Sequence, residues 1–446
     1  MNTSVQRTRM HGWRFGLAGV AVVALALAAM LGGSETPIGA QQPSATPTPT
    51  VIARPGAWQL TDPSFTALPG AKAYFGVLDR STYHIELPDN WNGELVMYAH
   101  GYAGEGPLLQ AGISPIRKHL IDLGFAWAAS SYDENGYDPD LGVTDTLALR
   151  DYFIATFGKP KRTYLEGTSM SGHIVVSSLE QHPGIYDGAL AECGVLMQEQ
   201  EIDYLEAYSA LADFISGVNA LPAADAAAFQ GTLTNQIVPA LGTPDDWTPL
   251  GQAFESAVKY LTGGARPFRH EGMVDFYTGA FAAITQQQPA SLAGLAATDD
   301  YFTFHIDPDL GFTDDQLNSG VLRTAADPAY RNAQTNPVFA LPTGKITVPL
   351  LTYHTTGDNF VPLLHEINYR KTVDAAGNGD LLVQRTVRAP KHCQFDTADL
   401  VQGFDDLIAW VEHGVKPRGE DLLQADLTGL GREWTHHVLP GDDQGY

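Results

Sequence analysis

The sequence predicts an α/β fold: a mostly parallel central sheet flanked by helices, with an inserted, mainly helical segment. Three observations predict it. Apolar runs rich in β-formers alternate with stretches of helical spacing, as in βαβ units. The 45 Gly and 28 Pro supply turns in numbers a helical bundle does not need. From about Met197 to Leu341 the alternation stops, and the chain becomes Ala-rich and helical with scattered Pro.

The elements follow in order. Tyr83–Leu87 reads as a strand, and Glu94–Ala99 (ELVMYA) as a buried strand entered from an Asn-Trp-Asn-Gly turn and ending at His100-Gly101. Ile116–Leu123 is a helix and Phe125–Ser130 the next strand. Thr144–Phe157 has helical spacing, with Thr144 or Asp145 as its cap. Arg162–Glu166 is a strand running into Gly167; Ser171–Gln181 is a helix stopped by His182-Pro183-Gly184; Tyr186–Cys193 is a strand. In the Ala-rich block, Glu199–Val218, Ala223–Leu233 and Gly251–Leu261 read as helices. Strands return at Ile346–Thr356 and Leu381–Val387, and Ala398–Glu412 is the last well-marked helix. A short repeat, Asp138–Asp145 (DPDLGVTD) and Asp307–Asp314 (DPDLGFTD), reads as two similar helix-entry turns. Neither copy has the spacing of an EF-hand calcium loop.

The N-terminus reads as a targeting segment. Arg7, Arg9 and Arg14 precede an uncharged apolar run from Phe15 to Leu31, and Ile38-Gly39-Ala40 offers a cleavage site before Gln41. The run is short for a bilayer span of about 20 residues, which favours a cleaved secretory signal over a retained anchor. Pro43–Thr50 (PSATPTPT) is an extended spacer. The expected organisation is therefore a signal peptide at 1–40, a Pro/Thr-rich linker at 41–56, a first part of the α/β core at 57–196, a helical insertion at 197–341, and the rest of the core with a tail at 342–446. A net charge of −25 argues against nucleic acid and anionic membrane surfaces. Two cysteines exclude a disulfide scaffold and a Cys-rich zinc site, and leave one disulfide possible.

The most informative segment is Tyr164-Leu165-Glu166-Gly167-Thr168-Ser169-Met170-Ser171-Gly172. A buried strand runs into Gly-x-Ser-x-small and straight on into a helix. That arrangement lifts a serine hydroxyl clear of its own backbone on a sharp turn, and the helix N-terminus favours developing negative charge. It resembles the nucleophile elbow of the α/β-hydrolase family, with Ser171 where the usual pattern has Gly. Three further features strengthen the resemblance. His100-Gly101-Tyr102 ends an earlier strand where the family's oxyanion loop begins, which implies the backbone N–H groups of Tyr102 and Met170 as oxyanion donors. Gly357-Asp358-Asn359-Phe360-Val361-Pro362 follows an apolar strand, as the family's acid often does, and implies Asp358 as the group that orients the histidine. Ala389-Pro390-Lys391-His392-Cys393 follows the last strand and implies His392 as general base and then acid. The order Ser169, Asp358, His392 is the family's order. His365 is too near Asp358, His436 and His437 lie in the tail, and His173 sits behind Ser169. The insertion corresponds to the helical cap that many members carry.

On this resemblance Cys193 and Cys393 both fall at the carboxyl edge of the sheet, where a disulfide between them would pin the histidine loop. The alternative is two free, buried thiols. Tyr132, Tyr137, Trp247, Phe268, His270, Phe276 and Tyr277 are candidates to shape a pocket, though core packing or a turn is the favoured reading of each; Glu134 and Asp138 flank a Gly turn near the carboxyl edge of a strand, where a plain surface charge is the alternative. The expectation is a secreted serine hydrolase, periplasmic or extracellular, cleaving small-molecule or polymeric carboxylic esters through an acyl-enzyme, without cofactor or metal. The alternatives are a peptidase or aminopeptidase of the prolyl-oligopeptidase-like branch, and a non-catalytic binding protein on the same fold. A dehalogenase is disfavoured, since its elbow carries Asp.

Overall fold

The computed structural model describes residues 52–53, 58–104, 106–223, 226–287, 297–326, 341–437 and 439. The proposed signal segment and most of the linker lie outside the described residues. Ile52–Ala53, inside the expected linker, pair antiparallel with Gln59–Leu60 in a small separate sheet. Main-chain pairing of this kind needs no core of its own.

The main sheet has eight strands: β1 (Ala71–Leu78), β2 (Ser81–Pro88), β3 (Glu94–Ala99), β4 (Ala126–Ser130), β5 (Arg162–Thr168), β6 (Gly188–Glu192), β7 (Leu350–Thr355) and β8 (Leu382–Val387). Their spatial order is β8-β7-β6-β5-β3-β4-β2-β1. Only β2 runs against its neighbours; β3 to β8 are parallel. Strands β3, β4, β6, β7 and β8 are buried at every residue, as parallel strands covered on both faces are, and none shows a polar face alternating with an apolar one. Strand β1, missed in the sequence, is the half-exposed outer strand and carries no such buried run.

Helices cover both faces. On one side α2 (Pro139–Phe157), α3 (Ser171–Gln181) and α9 (Leu364–Ala375) contribute Val143, Ile174 and Tyr369 to a core with Leu95, Met97 and Leu165. On the other, α1 (Arg117–Leu123) and α10 (Thr397–His413) pack Leu120, Phe404 and Trp410 against Val96, Trp127, Tyr164 and Leu351. Alternate residues of one strand thus serve opposite cores, as the pleat requires.

Between β6 and β7 the chain forms α4 (Gln200–Ser216), α5 (Ala226–Thr232, continued by a π-helical stretch Leu233–Ile237 and a turn Val238–Leu241), α6 (Pro249–Leu261), α7 (Arg269–Gln287) and α8 (Asp314–Gly320). These bury their own cluster, including Tyr204, Tyr208, Phe254, Met273 and Phe281. The sequence did not signal α7 or α8; Gly272 and Gly279 interrupt the pattern of the first.

The repeat is not two equal turns. In the first copy Asp138 caps α2, its carboxylate accepting from Leu141 N–H at 3.1 Å, and Pro139 is the first helical residue. The helix therefore starts before Thr144 and Asp145, the caps expected from the sequence. In the second copy Asp307 accepts from Ser256 Oγ (2.7 Å), Tyr260 Oη (2.7 Å) and Lys259. The chain then turns through Asp309 and Gly311, both at positive φ, and the helix begins only at Asp314, capped by Thr313.

Candidate active site

The carboxyl ends of β3, β5, β6, β7 and β8 converge. Register pairs Ala99 with Gly167, Thr168 with Glu192, and Thr355 with Val387, so the residues that follow each strand emerge side by side. Ser169 follows β5 at φ 61. A non-glycine residue held in the left-handed region marks a turn over-determined by its surroundings. The surroundings are visible: Ser169 N–H donates to Glu192 O (2.9 Å), and its carbonyl accepts from Gly172 and Val195 N–H. A Cβ on Gly167 would lie 2.7 Å from Val175 and 2.8 Å from Ser171 O, so only glycine lets strand and helix meet this closely.

Ser169 Oγ lies 2.8 Å from His392 Nε2, and His392 Nδ1 lies 2.6 Å from Asp358 Oδ2. With the carboxylate on the Nδ1 side, Nδ1 carries the proton and donates, leaving Nε2 to accept from the serine. Asp358 is fully buried. Its Oδ1 accepts from the N–H groups of Phe360 (2.9 Å) and Val361 (3.0 Å). Burial pushes the Asp358 carboxyl up, but the His392 charge and hydrogen bond, with nearby His354, hold it below the usual range. For His392 the balance reverses: burial pushes it down, and Asp358, followed by Glu201 and Asp275, outweighs burial and holds it above an ordinary histidine.

Of the rival histidines, His365 is buried, which pushes it down to about 3; it lies 3.0 Å from Glu201, and its Nδ1 accepts from Met197 N–H at 3.1 Å. His173 meets Tyr137 at 3.0 Å, and His436 meets Asp399 at 2.7 Å.

Gly101 packs on the serine: a Cβ there would stand 2.9 Å from Ser169 Cβ. Tyr102 thus begins a loop beside the hydroxyl, and Met170 is the N-cap residue of α3. Cys193 and Cys393, both at positive φ, form a disulfide with Cα atoms 5.3 Å apart, joining the ends of β6 and the histidine loop. Among the described residues, Cys193, His392 and Cys393 are the one trio of metal-type donors that lie together. The disulfide occupies both sulfurs, so the trio offers no thiolate to a metal.

The order of the eight strands, with the serine turn after β5, the acid loop after β7 and the histidine loop after β8, decides the fold. The chain has the α/β-hydrolase fold. Residues 76–274 match the model of a tannase-like family of unknown function; that span contains Ser169 but neither Asp358 nor His392. A search of curated proteins gave no match. Solved α/β-hydrolase structures similar to the chain include an esterase of Pyrococcus furiosus (12% identity, TM-score 0.39, covering 76% of this chain and 90% of that one). Feruloyl esterase B of Aspergillus oryzae is similar at 15% identity and TM-score 0.39, over 76% of this chain and 80% of that one. An acylaminoacyl peptidase of Pyrococcus horikoshii is similar at 11% and 0.39, over 80% of this chain but 45% of that one.

This hydrolase fold carries contacts that no motif announced. Arg266, from the α6–α7 connection, is fully buried and donates to Thr356 O (2.6 Å) and Asp358 O (3.1 Å), with Thr262 and Gly264 taking its remaining bonds. Burial pushes its guanidinium down to about 9. Tyr204 Oη donates to Asn359 O (2.6 Å). The acid loop is thus gripped from the insertion. Beneath the elbow, Glu166 and Glu192 lie buried on neighbouring strands; Glu166 accepts from Ser114 (2.8 Å) and Glu192 from Thr168 (2.8 Å). Burial raises both, Glu192 to about 7, and for Glu166 the neighbouring Glu192 charge adds to the rise. The signal that could have found them, a charge inside an otherwise buried strand, belongs to no motif.

The pocket candidates scatter. Phe276 packs at a tilt against Phe360 (4.4 Å between ring centroids), which meets the His392 ring edge-on at 5.1 Å. Trp247 and Tyr277 pack together in the insertion's core, and His270 pairs with Glu255 (2.8 Å). Phe268 is buried at φ 59, its carbonyl against Gly357. Tyr132 is buried against His100, and Asp138 caps α2. Glu134 faces Arg80 at 3.8 Å.

Proposed function

We propose that the protein is a serine hydrolase of carboxylic esters working through an acyl-enzyme. The observation that supports this most directly is the unbroken relay from Ser169 Oγ through the His392 ring to Asp358. His392 Nε2 takes the serine proton as Oγ attacks the ester carbonyl. The N–H groups of Tyr102 and Met170 receive the oxyanion, at a gain of about 3 kcal/mol per donor in such sites. His392 then returns the proton to the leaving alcohol, and water activated by the same nitrogen releases the acid. No step calls on a cofactor or metal.

The disulfide, together with the N-terminal sequence, supports a secreted, oxidising location. Among the described residues no helix is long and apolar enough to cross a membrane. The tannase-like description of the matching family puts esters of phenolic acids first among substrates to assay. The test is turnover of p-nitrophenyl and phenolic-acid esters beside peptide anilides, with fluorophosphonate labelling. Ester turnover and labelling that both vanish in Ser169→Ala support the reading. Labelling without ester turnover, or peptide cleavage alone, removes the esterase assignment.

A further inference from the structure

The elbow departs from the usual pattern at Ser171, and the structure gives that departure a use. Ser171 is fully buried at the start of α3. Its hydroxyl donates to the carbonyl of His100, at the end of β3. The Tyr132 hydroxyl donates to the same carbonyl at 3.0 Å, and its ring stacks on the His100 imidazole with centroids 4.1 Å apart. His100 Nδ1 lies 2.7 Å from Gly101 O. A carbonyl only accepts, so Nδ1 carries the proton there.

Two successive peptide groups are fixed by this arrangement. Ser171 and Tyr132 hold the His100–Gly101 peptide by its oxygen. The imidazole holds the Gly101–Tyr102 peptide by its oxygen. In a trans peptide the N–H points opposite to the C=O, so anchoring Gly101 O fixes the direction of the Tyr102 N–H. Gly101 itself is pressed against Ser169. The helix that carries the nucleophile therefore also sets the loop beside it, through a hydroxyl that glycine would lack.

We propose that Ser171 is a positioning residue for the oxyanion donor, tying the Tyr102 N–H to the same helix that presents Ser169. The proposal rests on the serine-esterase reading above. It separates Ser171 from Ser169: the first donates to a backbone carbonyl and never meets the substrate. A donor held in place in advance acts on the tetrahedral species more than on the bound ester.

The test is Ser171→Ala, with Ser171→Gly as the variant that restores the family's usual residue. Both should lower kcat about tenfold to a hundredfold, as expected when a donor is loosened rather than removed, with KM nearly unchanged. Affinity for a trifluoromethyl ketone, which forms a tetrahedral adduct on serine, should fall by the same factor as kcat. A merely structural role would lower thermal stability without that match. Tyr132→Phe removes the other donor while filling the same space, and should give a smaller loss in the same two quantities. It carries the test if the Ser171 variants do not unfold cooperatively. Unchanged kcat and ketone affinity in folded variants, or a change in KM alone, would overturn the proposal. Failure of the underlying reading looks different, because the unaltered protein would then show no ester turnover, whether or not it bound the ketone.

Discussion

The carboxyl edge of the sheet and the insertion that roofs it are built by different chemistry. At the edge, main-chain ladders in register bring Ser169, Asp358 and His392 together. In the roof, an aromatic and aliphatic cluster packs around buried charged groups held by long-range side-chain bonds, such as Asp203 to Thr298 N–H and Tyr301, and Glu206 to Thr324. The two meet at the acid loop, where Arg266 and Tyr204 take hold of edge carbonyls. A Cβ at Gly272 of α7 would stand 1.6 Å from Gly357 O, so the roof is seated hard on that loop. Part of the apparatus that orients Asp358 therefore belongs to the roof.

Breaking the edge should have the largest effect. Ser169→Ala should lower kcat by about 10⁴-fold or more, and Asp358→Asn by about 10⁴ through the wrong imidazole tautomer, each with little change in thermal stability. Turnover within tenfold of the parent in either would detach the relay from the chemistry. Breaking the junction comes next. Arg266→Met leaves the Thr356 and Asp358 carbonyls without their donor, and should reduce kcat about tenfold to a hundredfold while lowering stability by about 2–4 kcal/mol. A folded, fully active Arg266→Met would mean that roof and edge are independent. Replacing Cys193 and Cys393 together by serine removes a bridge of sequence separation 200 and should weaken folding by on the order of 4 kcal/mol, read in a denaturant melt.

Two pH effects are smaller and run in opposite directions. The edge sets the acid limb of kcat/KM: His392 must be neutral to act, so activity should fall as pH drops through an apparent value above the ordinary 6.5. A limb at or below that value would contradict the Asp358 pairing. Stability should run the other way. Glu192 is raised by burial from 4.5 to about 7, so its contribution is complete below the ordinary carboxyl value and is lost as pH rises through 7. Glu366 and Asp145, each raised by burial to about 7, add the same sign. The melting temperature should decline from pH 6 to pH 8.5, and Glu192→Gln should flatten that slope.

Most of the edge was legible. Glu94–Ala99 and Ser171–Gln181 begin and end where the sequence puts them, because a fully buried parallel strand and a helix stopped by Pro183-Gly184 each leave a local signature. The relay residues were legible from their positions at strand ends. In the roof three helices were legible, at Gln200–Ser216, Ala226–Thr232 and Pro249–Leu261, and α7, α8 and the long-range bonds were not. Arg266 belongs to no motif, and only the fold brings it to the carbonyls of Thr356 and Asp358. Ser171 reads as a tolerated small residue until the end of β3 comes within its reach. Long-range bonds of this kind leave no periodicity behind.

The twin octapeptides carry that point to its limit. Eight positions with a single difference, Val143 against Phe312, begin a helix at once in one setting and delay it by six residues in the other. The leading aspartate decides: free to turn inward, it starts the coil; claimed by Ser256, Tyr260 and Lys259, it cannot. A fragment borrowed from one address would be a poor template for its near-double at the other.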